Sequence, residues 1–344
     1  MYRINMKSKA DMVKGHGVLS AHDEQVALVR EVMKAGFEIL ENAKKPCQIT
    51  QYHSLNPEYY LPAKVHKKQG ITVGMVHFLP ETVENSIQLP SFAKSVFYKY
   101  MISFYKQMDY LVTVNPCFID ALKGYGIPEE KVTYIPNYVS EEQFYPLSAK
   151  ERRTLRGEYE LDESAFVVLC AGQLQKRKGV LDYIELAKRL PQYEFLWAGG
   201  FSFGKISDGY EEIKKALQDL PSNLHFLGMV DRDKMNGIYN MADVFLLPSY
   251  EELFPMTILE AMSCHLPVVV RDLSLYEPIL HHYVQKGKNI KAFQELLTRL
   301  QQDPQVYLEA CHASAAGSRF YSREHVGSMW KQFYCRILME KWDR

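Results

Sequence analysis

Two glutamates, Glu252 and Glu260, stand eight residues apart in the last third of the chain, and two cations, Arg177 and Lys178, stand in a loop bounded by Gly172 and Gly179. A carboxylate accepts several hydroxyl hydrogen bonds at once, which suits a sugar or a ribose diol. Ammonium and guanidinium groups at a helix N-terminus suit a diphosphate, because the helix dipole favours negative charge at the same place. Together these residue types describe a nucleotide-sugar site. Two further places have suitable chemistry. His77 directly follows an apolar run, where catalytic loops of α/β proteins are found, although a satisfied structural histidine has the same signature. Gly15 and Gly17 flank His16 in a loop whose backbone could approach a ligand closely.

The elements that position these residues alternate between strand and helix. The apolar run 244–247 ends in Pro248-Ser249, an acidic loop follows, 257–263 has helical composition, and Pro267 introduces a second β-branched run. Upstream, 166–171 reads as a strand, 172–179 as the basic loop, 180–190 as a helix and 193–198 as a strand leading into Gly199-Gly200. Strands are also expected at 47–52, 71–76, 109–114, 132–135 and 224–227, with helices at 21–43, 57–68, 116–123, 231–240, 293–300, 305–314 and 323–342. The start at Tyr2 is too brief to read as a strand. Such alternation predicts parallel sheets in a doubly wound α/β fold.

A length of 344 residues favours two domains with separate cores. The polar, proline-bearing stretch between Pro136 and Ala149 is the expected linker. It divides an N-terminal domain, 1–138, completed by the last helix at 321–344, from a C-terminal domain, 139–320. Hydrophobic content of 47% and charged content of 24% exclude disordered and fibrous classes, and 41 basic residues balance 41 acidic ones, so no nucleic-acid partner is expected. Six dispersed cysteines without a Cys-x-x-Cys pair read as reduced core thiols in a cytosolic protein. No run of about 20 apolar residues predicts a spanning helix. The segment 85–108 is unusual in lacking any acidic residue while interleaving Lys94, Lys99 and Lys106 with aromatics that include Phe97 and Tyr98. It fits a helix lying on an anionic bilayer, and equally a core helix with three solvated lysines.

The order of these features resembles the family 4 retaining glycosyltransferases, whose GT-B fold has two facing Rossmann-like domains. The stretch 252–260, Glu-Leu-Phe-Pro-Met-Thr-Ile-Leu-Glu, is similar to the family's Glu-x7-Glu motif, and Glu-Ala-Met-Ser-Cys-His-Leu-Pro-Val-Val from Glu260 to Val269 to its continuation. The resemblance implies that Glu260 binds the ribose, Glu252 the transferred sugar and Lys178 the diphosphate, with His77 near the reacting sugar and Gly15 and Gly17 under the diphosphate. It adds Gly172, Gln173, Gly199, Phe254, Pro255, Met256 and Thr257 to the donor site. Gln173 stands where the family commonly has arginine, with Arg177 as the candidate replacement, and His265 stands where glycine is usual.

Within the family, the stretches 14–18, 77–82 and 172–179 are most similar to bacterial glycolipid synthases that add a second hexose to monoglucosyl-diacylglycerol. The implied activity is α-retaining transfer of a hexose, with galactose favoured over glucose, from a UDP-sugar to a membrane glycolipid on the inner face of the cell membrane. No cofactor or metal is implied, and no Asp-x-Asp triplet is expected to hold one under the diphosphate. A soluble or polysaccharide-precursor acceptor would use the same donor site, and a non-catalytic nucleotide-sugar-binding protein would keep the pocket without turnover.

Overall fold

A computed structural model of the chain describes residues 1–9, 17–83, 90–201, 204 and 208–342. These divide into two compact units, Met1–Tyr138 with Tyr321–Arg344, and Val139–Phe320.

The first unit holds a six-stranded sheet formed by β1 (Tyr2–Lys7), β2 (Phe37–Glu41), β3 (Ile49–Tyr52), β4 (Ile71–Val76), β5 (Tyr110–Thr113) and β6 (Val132–Tyr134). The order is β2-β1-β3-β4-β5-β6 and every pairing is parallel. Burial on both faces explains the composition of β4, whose six residues Ile-Thr-Val-Gly-Met-Val are all buried. The last helix, Arg323–Trp342, returns to this unit and sets Val326, Trp330, Phe333, Tyr334 and Ile337 against Val26, Leu28 and Val29 of helix Gly17–Val32 and against strand residues such as Val73 and Val112. Trp330 is 2% exposed, so its truncation to alanine would cost about 3–5 kcal/mol.

The second unit holds β7 (Val167–Ala171), β8 (Glu194–Ala198), β9 (Leu224–Gly228), β10 (Val244–Leu247), β11 (Val268–Arg271) and β12 (Gln285–Gly287), again all parallel, in the order β12-β11-β10-β7-β8-β9. Strand order reverses between β7 and β10, and in the first unit between β1 and β3. Ligands of doubly wound sheets bind at the carboxyl ends of the strands at such reversals.

Three sequence expectations need correction. The expected helix 21–43 is helix Gly17–Val32 followed by β2. Gly36, at φ 95°, turns the chain in the left-handed region, and the apolar residues beyond it, Phe37 and Ile39, pack on the core from a strand. The start at Tyr2 is a strand, because β1 is paired on both sides. The expected linker stretch ends where helix Ala149–Glu158 begins, opened by a capping box between Ser148 and Glu151. That Ser-x-x-Glu spacing was visible in the sequence. Just before it, Asn236 and Asn240 accept from the backbone of Tyr145 and Leu147 and pin the stretch to the second unit. All six cysteines are free, but only Cys47, Cys170 and Cys264 are buried, so the core reading holds for half of them.

Candidate active site

The loops after β7 and β10 lie side by side at the reversal of the second sheet, and the backbone itself joins them. Tyr250 N–H donates to the Arg177 carbonyl at 2.7 Å, and Arg177 Nη1 donates to the Glu251 carbonyl at 3.2 Å. Lys176, Arg177 and Lys178 form a 3-10 turn closed by Gly179 at φ 73°, ψ 28°. A Cβ on Gly179 would meet the Pro248 carbonyl oxygen at 2.4 Å, so this close approach of the two loops requires glycine. Gly199 has the same role one loop further on, where a Cβ would sit 1.9 Å from the Gly172 oxygen.

The three cations of the turn have separate partners. Lys176 faces solvent and pairs with Glu212 at 3.0 Å. Lys178 lies against the Glu252 carboxylate, with side chains 12% and 7% exposed. Burial works to raise the Glu252 carboxyl, but Lys178 and then Arg177 outweigh it and hold the group below the ordinary carboxylate range. Burial lowers the Lys178 ammonium, against the pull of Glu252. The structure thus joins two residues that sequence reasoning had placed on different parts of a ligand.

Glu260 lies on helix Met256–Ser263, whose first residue follows Pro255. It is 4% exposed, and Phe254 and Met256 are buried beside it in sequence, while Gly172, Gln173, Pro255 and Thr257 are half-buried. One Glu260 oxygen accepts from Arg232 Nη1 at 2.8 Å and the other from the Tyr239 hydroxyl at 2.6 Å. Two of about four lone-pair sites are therefore occupied, which leaves two for a ligand diol. Burial, then the Glu260 charge, raises the Tyr239 hydroxyl well above its ordinary value, so it stays a donor. His265 ends this helix at φ 56°, with its N–H on the Met262 carbonyl and Leu266 N–H on the Ala261 carbonyl. These bonds make the Schellman end for which glycine is usual.

Arg232, Tyr239 and Arg271 were missed by sequence reasoning, because their roles depend on contacts 21 to 89 residues distant in the chain. Arg271 closes β11, donates to the Pro248 carbonyl at 2.9 Å, pairs with Asp182 and stacks 3.8 Å from the Tyr250 ring centroid. It holds the entry of the loop that carries Glu252. An Asp-x-Asp spacing does occur, at Asp231-Arg232-Asp233. Both aspartates are exposed at a helix start and the cation between them serves Glu260. Among the described residues no three metal-ligating side chains converge.

In the first unit His77 follows β4 and is 6% exposed. Its ring lies 6.2 Å from that of His53, which follows β3, and His53 meets His22 edge-on at 4.6 Å. Gly17 opens helix Gly17–Val32, and Gly15 lies outside the described residues. Helix Ser91–Gln107 buries Met101, Phe104 and Tyr105 and exposes Lys99 and Lys106, with Lys94, Phe97 and Tyr98 half-buried. Residues 85–89 of the basic aromatic segment lie outside the described residues. Phe92 and Val96 are 80% and 52% exposed on the same helix. Helix Tyr60–Gln69, which packs beside it, exposes Leu61, Lys64, Val65 and Lys68. No described helix is long and apolar enough to cross a membrane.

Two six-stranded parallel doubly wound sheets are the elements of the GT-B fold. The sucrose-phosphate synthase of Thermosynechococcus elongatus superposes with a TM-score of 0.80 over 99% of this chain and all of its own, at 14% identity. Anabaena HepE, solved in complex with UDP and glucose, superposes at 0.77 over 97% of this chain and all of its own, also at 14% identity. Residues 151–316 match the family of glycosyl transferases group 1, and the chain belongs to that family of hexosyltransferases. It is 44% identical to the alpha-galactosylglucosyldiacylglycerol synthase of Streptococcus pneumoniae, over 96% of this chain and 89% of that protein. It is 28% identical to the processive diacylglycerol alpha-glucosyltransferase of Acholeplasma laidlawii, over 71% of this chain and 73% of that one.

Proposed function

We infer that this protein moves an α-hexosyl group, galactose in preference to glucose, from a UDP-sugar to monoglucosyl-diacylglycerol at a membrane surface. The observation that carries this reading is the 44% identity to a galactosylglucosyldiacylglycerol synthase along nearly the whole of both chains. The second unit is assigned the donor. Glu260 takes the ribose hydroxyls with its two remaining acceptor sites, and Glu252 takes hydroxyls of the hexose. Lys178 has three donors, so it can stay on Glu252 while reaching a phosphate oxygen. As the diphosphate leaves, negative charge grows on it, and Arg177, Lys178 and the start of helix Met256–Ser263 stabilise that charge. Gly172, Gln173, Gly199, Phe254, Pro255, Met256 and Thr257 line the donor, with Arg177 in place of the arginine the family carries at Gln173. These cations belong to the protein, and we assign charge neutralisation to them without a metal.

The first unit is assigned the acceptor, with His77 on the sugar and Gly15 and Gly17 at the diphosphate. Exposed apolar side chains beside lysines on helices Ser91–Gln107 and Tyr60–Gln69 support a peripheral seat on anionic lipid at the cytoplasmic face. Lys94, Phe97, Tyr98, Lys99 and Lys106 belong to that surface.

The test is incubation with labelled UDP-galactose or UDP-glucose, monoglucosyl-diacylglycerol vesicles and excess EDTA, followed by lipid chromatography. A labelled diglycosyl lipid, stronger from UDP-galactose, is expected. Label in free hexose alone, or on a soluble acceptor alone, would overturn the reading. Sedimentation with vesicles should be strong with anionic lipid and weaken with salt.

A further inference from the structure

The reversal of the first sheet lies between β1 and β3, and the side chain that stands there is His53, the residue after β3. It is 1% exposed and its backbone N–H is fixed on the Lys7 carbonyl of β1 at 2.8 Å. A chain of hydrogen bonds reaches its ring from the far end of the sequence. The Tyr334 hydroxyl donates to Gln51 Oε1 at 2.7 Å, and Gln51 Nε2 lies 3.0 Å from His53 Nε2. With the amide oxygen taken by a donor, the amide N–H faces the ring, and His53 Nε2 must accept. An imidazole that accepts at Nε2 keeps its proton on Nδ1 and is uncharged. That Nδ1–H meets no acceptor among the described residues.

The surroundings agree from every side. Helix Gly17–Val32 contributes His22, whose Nδ1 lies 3.1 Å from the Asp23 carboxylate. The end of β4 contributes His77, β3 contributes Gln51 and helix Arg323–Trp342 contributes Tyr334. Burial, then His22 and His77, drive the His53 pKa well below its ordinary value. A neutral imidazole has one acceptor nitrogen, which an imidazolium lacks. The fixed His53 ring lies stacked at 6.2 Å from His77 and so bounds the position of that ring.

We propose that His53 is a positioning residue for His77: Tyr334 and Gln51 fix His53 as the Nδ1–H tautomer, and its ring orients His77 as an acceptor for a sugar hydroxyl. This rests on the assignment of His77 to substrate made above. Nitrogen-15 histidine spectra between about pH 6 and 8 should show His53, identified by its loss in His53→Gln, protonated at Nδ1 only. An Nε2–H tautomer or an imidazolium overturns the proposal.

The kinetic arm is Gln51→Glu, which puts an acceptor where the amide donor was. The His53 proton then moves to Nε2, kcat falls about tenfold to a hundredfold with the KM for UDP-sugar within about twofold, and activity partly returns as pH is raised. Wild-type kcat with a wild-type pH profile overturns the proposal. Should this variant not fold, Tyr334→Phe removes only the hydroxyl and should give mixed tautomers with kcat lowered by about threefold; an unchanged tautomer and rate overturn it. His77→Asn, measured alongside, separates the two readings. Normal turnover in that variant removes the assignment of His77 and the proposal with it. Impaired turnover there with normal turnover in Gln51→Glu removes the proposal alone.

Discussion

The two sheet reversals hold opposite chemistry. At β7 and β10 the side chains are ions in pairs, Lys178 on Glu252 and Arg232 on Glu260, with Arg177 close by. At β1 and β3 they are imidazole rings and an amide, His22, His53, His77 and Gln51. Paired ions are suited to a ligand that brings its own charge, since Lys178 can turn towards a phosphate without leaving Glu252 bare. Neutral donors and acceptors are suited to hydroxyls, which need hydrogen bonds without net charge. One doubly wound architecture thus presents paired ions at one set of strand ends and hydrogen-bonding rings at the other.

The largest expected effect comes from breaking the charged end. Lys178→Ala should lower kcat/KM by about 10²–10³-fold, and it should also lower the unfolding midpoint because the buried Glu252 loses its nearest cation. Adding Glu252→Gln should restore the midpoint but not the turnover; restored turnover would take Lys178 out of the chemistry.

Acid should separate the two units. His53 is held neutral, so below about pH 6.5 the unfolded chain gains a proton that the folded first unit refuses, and stability falls by up to about 1.4 kcal/mol per pH unit. Glu252 has a lowered pKa, so its contribution is present above about pH 4.3 and is lost as pH falls through the folded value. His265 shifts in the same direction as His53 but is exposed, so water screens its effect on the second unit. Fluorescence of Trp330 and Trp197 in single-tryptophan variants reports the units separately. The first unit should unfold earlier as pH is lowered from 7 to 5, and coincident transitions would remove the contrast. The smallest effect is expected for Tyr239→Phe, which leaves Glu260 with Arg232 alone. A rise of a few-fold in KM for the donor, corresponding to about 1 kcal/mol, should appear with kcat little changed.

Much of this architecture could be read from residue order. Near-continuous β-branched runs such as Val268–Arg271, glycine loops after them and amphipathic helices between them predict parallel sheets whatever the partners. The Glu252 and Glu260 pair was legible because its eight-residue spacing crosses one local loop-to-helix junction. Helix Arg323–Trp342 was expected at its observed bounds, since its period is continuous. Gly36 was not read as a break because the apolar steps of three and four continue past it into β2.

What sequence by itself determined is therefore local: periodicity, turn chemistry and the identity of the groups at strand ends. Tertiary structure alone decided which of those groups meet. Lys178 is 74 residues from Glu252, and Tyr334 is 283 from Gln51. A hydrogen bond or an ion pair depends on distance in space, to which separations of that length set no bound. The neutrality of His53 likewise arises from neighbours on two helices and two strands, and no single stretch of sequence contains them.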